Sequence, residues 1–261
     1  MPSYKAQQMK KNTLFSILFL LASPSVLLAQ QSIADSTTQM ALLEVTYRGG
    51  IPGGDLADRF GYLSLIGIQG GVKFKNNFYL SAGLQLLFGD VVREFDVFEK
   101  ILDSSGLLIG DQGLLTDYRV NAAGWMLPVT VGKIFPIFPG HNPNSGIYVE
   151  VGGQYIRHRL GFEAYDDDVT QLTGDYRKGY DRLTAGFGMR ESIGYTFFDS
   201  RGYVNFSLGF DFSQNFTRGQ RSIQFDTGLP NDQKRMDLLA GIRFSWIYPI
   251  YQRSPDRVYY Y

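Results

Sequence analysis

An eight-stranded antiparallel up-and-down transmembrane β-barrel is the fold class that this 261-residue chain predicts. Three observations carry it. Apolar residues recur at every second position in segment after segment, the connections between segments alternate between long and short, and the chain opens on a stretch built for export. Period two marks a β-strand with two unlike faces. The aromatic and branched face is the one that meets lipid, because the opposite face carries the small and charged groups that suit a narrow interior.

The opening stretch is read first. Lys10 and Lys11 precede the apolar run LFSILFLL, and ASPSVLLA then leads to Gln30. Charge, apolar run and small-residue exit, in that order, predict a secretory signal peptide over 1–29, cleaved after Ala29; the run is too short to span a bilayer as a helix. A polar periplasmic leader, 30–38, follows. Without the first 29 residues, 22 bases face 25 acids, a net charge of −3, and no polybasic stretch offers itself to nucleic acid. Cysteine is absent, which excludes disulfides, thiolate metal sites, a cysteine nucleophile and an acylated lipoprotein cysteine.

The strands follow in order over 39–250. Strand one, 39–50, turns Leu43, Val45 and Tyr47 outward and Glu44, Thr46 and Arg48 inward, and IPGGDLADRF reads as the loop after it. Strand two, 61–74, sets Ile66, Ile68, Val72 and Phe74 against Gly67, Gln69, Gly71 and Lys73; Lys75, Asn76 and Asn77 then make a tight turn. Strand three, 78–90, alternates Phe78, Leu80, Leu84, Leu86 and Phe88 with Ser81, Gly83 and Gln85. The longest connection, 91–117, contains REFDVFEKIL, which fits either an extended hairpin or one or two helical turns.

Strand four, 118–133, points Trp125, Leu127, Val129 and Val131 outward, and Pro128, lacking an N–H, predicts a bulge or a local break in pairing. Strand five, 146–160, places Ile147, Val149, Val151 and Tyr155 outside and Glu150, Gly152 and Gln154 inside. An acidic loop, 161–180, precedes strand six, 181–198. Strand seven alternates Val204, Phe206, Leu208, Phe210 and Phe212 with Asn205, Ser207, Gly209, Asp211 and Ser213. Strand eight sets Ile242, Phe244 and Trp246 against Gly241, Arg243 and Ser245, and a periplasmic tail, 251–261, remains.

Strand eight holds Gly241, Phe244 and Trp246 in the spacing G-x-x-aromatic-x-aromatic, which resembles the signal by which outer-membrane barrels are recognised for assembly, although Leu239 stands where that signal usually has a polar residue. With eight alternating segments and long connections after every odd strand, the chain resembles the small OmpA/OmpX-type outer-membrane barrels. That resemblance implies insertion in the cell outer membrane through the barrel-assembly machinery, porin-like architecture and contact with outer-membrane lipid and lipopolysaccharide. No peptidoglycan-binding domain is expected after the barrel.

Ions inside a narrow barrel pair or neutralise. If Ser200 and Arg201 form the centre of a tight turn, Arg190 stands opposite Asp211, and with Arg243 they predict a luminal ionic cluster joined by Glu44, Arg48 and Glu150. Glu191 faces lipid by parity, so either a bulge near Gly188 shifts the register or Glu191 meets a partner protein, and the bulge is the preferred reading. Arg157 and Arg159, flanking His158, are candidate contacts for lipopolysaccharide phosphates. Asp166, Asp167 and Asp168 are weak candidates for a divalent cation, since they lack the spacing of a dedicated calcium loop; no metal and no cofactor are expected. The reading is a non-enzymatic barrel that presents extracellular loops, structural or adhesive, or a subunit of an assembly with other outer-membrane proteins. Two alternatives stay open: an enzyme modifying outer-leaflet lipid A, and a narrow gated channel.

Overall fold

The computed structural model describes residues 36–94, 96–137, 142–165, 169–200 and 204–251. The expected signal peptide and its cleavage point, most of the leader, the tail beyond Tyr251, His141 and Asp166 to Asp168 lie outside the described residues.

In chain order the strands are β1 (Met40–Gly54), β2 (Leu63–Lys73), β3 (Phe78–Gly89), a small loop hairpin of β4 (Leu108–Ile109) and β5 (Leu115–Thr116), then β6 (Tyr118–Phe135), β7 (Gly146–Ala164), β8 (Thr184–Phe198), β9 (Asn205–Gly219) and β10 (Lys234–Tyr251). All except β4 and β5 form one closed antiparallel ring, in which β10 pairs back to β1. Closure requires a stagger between strands. Followed from partner to partner, Leu42, Gly71, Ser81, Thr130, Gly152, Arg190, Ser213 and Leu239 lead back to β1 at Pro52, ten residues beyond the start. A closed ring leaves no backbone amide or carbonyl row facing lipid.

The outward face is the apolar one on every barrel strand. Val45, Ile68, Leu86, Val129, Phe210 and Ile242 are exposed, while Thr46, Gln69, Gln85, Thr130, Asp211 and Arg243, one residue away on the same strands, are buried. Aliphatic and aromatic side chains directed away from a polar interior make this a transmembrane barrel. Phe206, Phe244 and Trp246 lie on the outside, where Phe206 and Phe244 stack with ring centroids 6.3 Å apart.

Several boundaries differ from the sequence reading. Residues 51–54 continue β1, and only Asp55–Arg59 leave it, as a short helix α1. The segment 91–117 forms a 3-10 helix over Asp96–Ile101 and the β4–β5 hairpin. The break expected at Pro128 falls on the β3 side alone: pairing passes from Ala82–Val129 to Gln85–Met126 with no change of register, while Pro128 stays in register with Gln154 of β7.

Two expectations are corrected. Arg190 stands opposite Ser213, and Asp211 opposite Ser192, because the last pair of the β8–β9 hairpin is Phe198–Asn205 and its turn is wider than two residues. No bulge occurs near Gly188: β8 keeps unbroken register with both neighbours, and Glu191 sits outward between Val151 and Phe212.

The interior is layered, with an ionic middle between two apolar clusters. Toward the long loops, Leu63, Leu65, Leu87, Met126, Ile156, Leu160 and Leu239 from the barrel wall pack with Leu56 of α1, Phe60 just after it, Phe98 of the 3-10 helix and Val169 and Leu172 of the β7–β8 loop. Leu239 belongs to this layer, which accounts for an apolar side chain on the inward face of β10. Toward the chain termini a second cluster gathers Met40, Leu42, Tyr79, Ile134, Tyr148, Phe198 and Ile247. Tyr148 lies along the inner wall over its partner Gly194 and over Gly209 beyond it; a Cβ at Gly194 would approach the ring to 2.8 Å.

Candidate functional site

Between the two apolar layers lie three guanidinium groups, Arg48, Arg190 and Arg243, and three carboxyl groups, Glu44, Glu150 and Asp211, all buried. Arg48 and Arg243 are direct cross-strand neighbours on β1 and β10, a like-charge pair that would repel if left facing itself. Each turns to its own carboxylate. Arg243 engages Glu150 by a fork, Nη1 to Oε1 at 2.9 Å and Nη2 to Oε2 at 3.2 Å, and stands 5.2 Å over the Tyr148 ring. Arg48 donates to Asp211 and, at 3.3 Å, to Ser213, while Arg190 Nε donates to the other oxygen of Asp211 at 2.7 Å. Tyr79 donates to Glu150 at 3.0 Å. Arg48, Arg190, Arg243, Glu150 and Asp211 are thus joined by buried charge-assisted hydrogen bonds.

The terminal end is cross-tied. Lys73 donates to Asn144 at 2.8 Å and to the Thr38 carbonyl at 3.2 Å, and Asn144 donates to the Ser36 carbonyl at 3.1 Å, so β2, the residues just before β7 and those just before β1 are held together.

His158 and Asp237 form a pair that sequence reading missed. His158 lies inward on β7, wholly buried, with Phe60 edge-on at 5.7 Å. Its Nε2 lies 3.0 Å from Asp237 Oδ2, which also accepts from Thr217 Oγ1 at 2.5 Å. Period two gives the signal: position 158 shares the inward parity of Glu150 and Gln154, and position 237 that of Gly241 and Arg243. Buried beneath α1, the imidazole offers no substrate access.

Above the barrel the loops lock to one another. Arg182, with φ of 49°, holds an ion pair to Glu94 at 3.1 Å, one to Asp226 at 2.5 Å, and a hydrogen bond to Gln224. Arg59 of α1 pairs with the same Glu94 at 2.8 Å and donates to Thr184 and the Arg182 carbonyl. Burial lowers the Arg59 guanidinium from its ordinary value, against the pull of Glu94. Arg221 grips both oxygens of Asp181, and that hydrogen-bonded contact raises its guanidinium above the ordinary value. Aromatic contacts complete the platform: Phe98 to Phe162 at 4.8 Å, Phe98 to Tyr180 at 5.5 Å, and Tyr180 to Phe225 at 5.4 Å.

On the outer wall, Arg157 is exposed on β7 and Arg159 is partly so, 3.9 Å from Asp181. Among the described residues no group of three or more histidine, aspartate or glutamate side chains is arranged to hold a metal ion.

No family model and no curated protein matches the chain. Solved structures do resemble it. The attachment invasion locus protein Ail of Yersinia pestis matches at 10% identity and a TM-score of 0.36, over 80% of this chain and 99% of that one. The outer membrane protein OprG of Pseudomonas aeruginosa matches at 8% identity and 0.37, over 84% and 99%. Neisserial surface protein A matches at 11% identity and 0.36, over 78% and 95%.

Proposed function

We propose that this chain is a non-enzymatic outer-membrane barrel, exported by a cleaved signal peptide, whose work is done by the surface it presents outside the cell. The observation that carries the reading is the contrast between an interior whose middle is taken up by paired ions and four loops, 55–62, 90–117, 165–183 and 220–233, cross-linked into one platform. A conduit has no use for the first, and a bare anchor has no use for the second. The platform fits an adhesive or structural role, alone or beside other outer-membrane proteins, while Arg157 and Arg159 suit the phosphates of lipopolysaccharide where the wall leaves the bilayer.

Refolded protein in a planar bilayer should give no steady conductance, and incubation with lipopolysaccharide should leave the mass spectrum of lipid A unchanged. A stable current lost on Arg190→Ala would replace this reading with a channel; a new lipid A product would replace it with an enzyme. Binding of the folded protein to lipopolysaccharide should weaken when Arg157 and Arg159 are both changed to Ala, and unchanged binding rejects that contact.

A further inference from the structure

One ion of the luminal layer stands apart. Arg48 and Arg190 share Asp211, and Arg243 holds Glu150, whereas Glu44 of β1 has neither a hydrogen bond nor an ion pair with any other described residue. A buried carboxyl group without a donor is costly.

Glu44 lines a cavity of about 20 Å³ that also meets Leu42, Phe198 and Ile247 of the apolar cluster toward the chain termini. Thr196 of β8 and Ser207 of β9, which are cross-strand partners, line it too. Glu44, Thr196 and Ser207 are 8%, 5% and 4% exposed, and neither hydroxyl has a hydrogen-bond partner among the described residues. Three unpartnered oxygen groups from three strands, each more than nine-tenths buried, thus converge on one small space. The other polar groups around it are engaged: Tyr79 and Arg243 donate to Glu150, and Tyr148 is hydrogen-bonded to Ser192 at 3.2 Å.

Size and charge name the occupant. An internal water needs roughly 10–15 Å³ and two to four polar partners, so the cavity takes one. A metal cation would find oxygen donors here as well, but three guanidiniums already balance three carboxylates in this layer. A further positive charge would lie beside Arg243, which lines the same cavity, with no anion left to offset it. A neutral molecule that both donates and accepts serves all three groups and leaves the balance of charge untouched.

We infer that this cavity is a binding site for a single internal water, which donates to the Glu44 carboxylate and is held by the hydroxyls of Thr196 and Ser207. Through it β1 is joined to β8 and β9 past the intervening β10, and the sixth ion gains the donor that Asp211 and Glu150 obtain from arginine. The site is independent of what the outer loops do.

Crystals of the refolded barrel give the direct test. One density peak is expected about 2.5–3.0 Å from a Glu44 carboxyl oxygen and from Thr196 Oγ1 or Ser207 Oγ. No peak, or a peak that touches Glu44 alone, overturns the inference; a peak roughly 2.3–2.6 Å from three or more oxygens, the range of a hard cation, overturns it in favour of a metal site. In solution, oxygen-17 relaxation dispersion counts long-lived waters. Ser207→Val, which fills the cavity and leaves all six ions in place, should hold one fewer than the unaltered barrel, with unheated gel mobility showing that both are folded. Equal counts overturn the site. If the valine variant does not fold, Thr196→Val, of nearly unchanged shape, should shorten the lifetime of that water, and an unchanged lifetime overturns the site equally.

Discussion

His158 Nε2 lies 3.0 Å from Asp237 Oδ2, and neither side chain has any exposure. The pair joins β7 to β10 across the lumen, directly below the apolar layer. Replacing Asp237 with Ala strips the imidazole and Thr217 of their shared partner, and a buried polar group left unpaired costs about 1–3 kcal/mol. Asp237→Ala should therefore lower the urea midpoint of the refolded barrel clearly more than Asp237→Asn, which keeps an acceptor oxygen. Equal midpoints would mean that the pair contributes no stability.

The forked Arg243–Glu150 contact separates the cost of burial from the gain of pairing. Glu150→Ala leaves a guanidinium uncompensated in the lumen and should cost about 3–5 kcal/mol, whereas changing both residues to Leu or Met should cost far less. Denaturant unfolding of the single and double variants measures the difference. A double variant as weak as the single would show that the pair is worth more than an apolar core of similar volume.

Arg182 is held in the left-handed region by what its side chain grips. Arg182→Ala loses both ion pairs and keeps a backbone costing about 1–3 kcal/mol for a residue other than glycine; Arg182→Gly loses the pairs but relieves the backbone. Limited proteolysis should cut the loops of both faster than wild type, the alanine variant most, while the barrel band stays intact. Loops that resist protease equally in all three would remove Arg182 as the clasp of the platform.

The β8–β9 register offers a direct spectroscopic check. Ile193 faces Phe210, so cross-strand nuclear Overhauser contacts should join those backbones and not Ile193 to Leu208. The reverse pattern would restore the narrower turn.

The strand count and the face each strand shows to lipid were legible in the sequence, because period two is a local property of each segment. Register was less so. Arg190 and Asp211 meet at 2.7 Å although they are not cross-strand partners; a long side chain reaches diagonally, so a charge pair does not determine which residues lie opposite. The apolar layer above the ions was hidden for another reason. Leu63, Leu65 and Leu239 keep the inward parity yet are greasy, since what covers them comes from loops remote in sequence, among them Leu56 and Phe98. Glu191 was misread through trust in the rule itself: a lone acid among apolar neighbours was assigned to a slip in the strand when it is a property of the surface.

One join in the wall differs from the rest. Where β3 meets β6, the imino nitrogen of Pro128 interrupts the ladder, while on its other side the same proline stays in step with Gln154. A ladder opens most easily where its hydrogen bonds are interrupted, so deuterium should enter at Gly83 and Leu84 before their neighbours on β3.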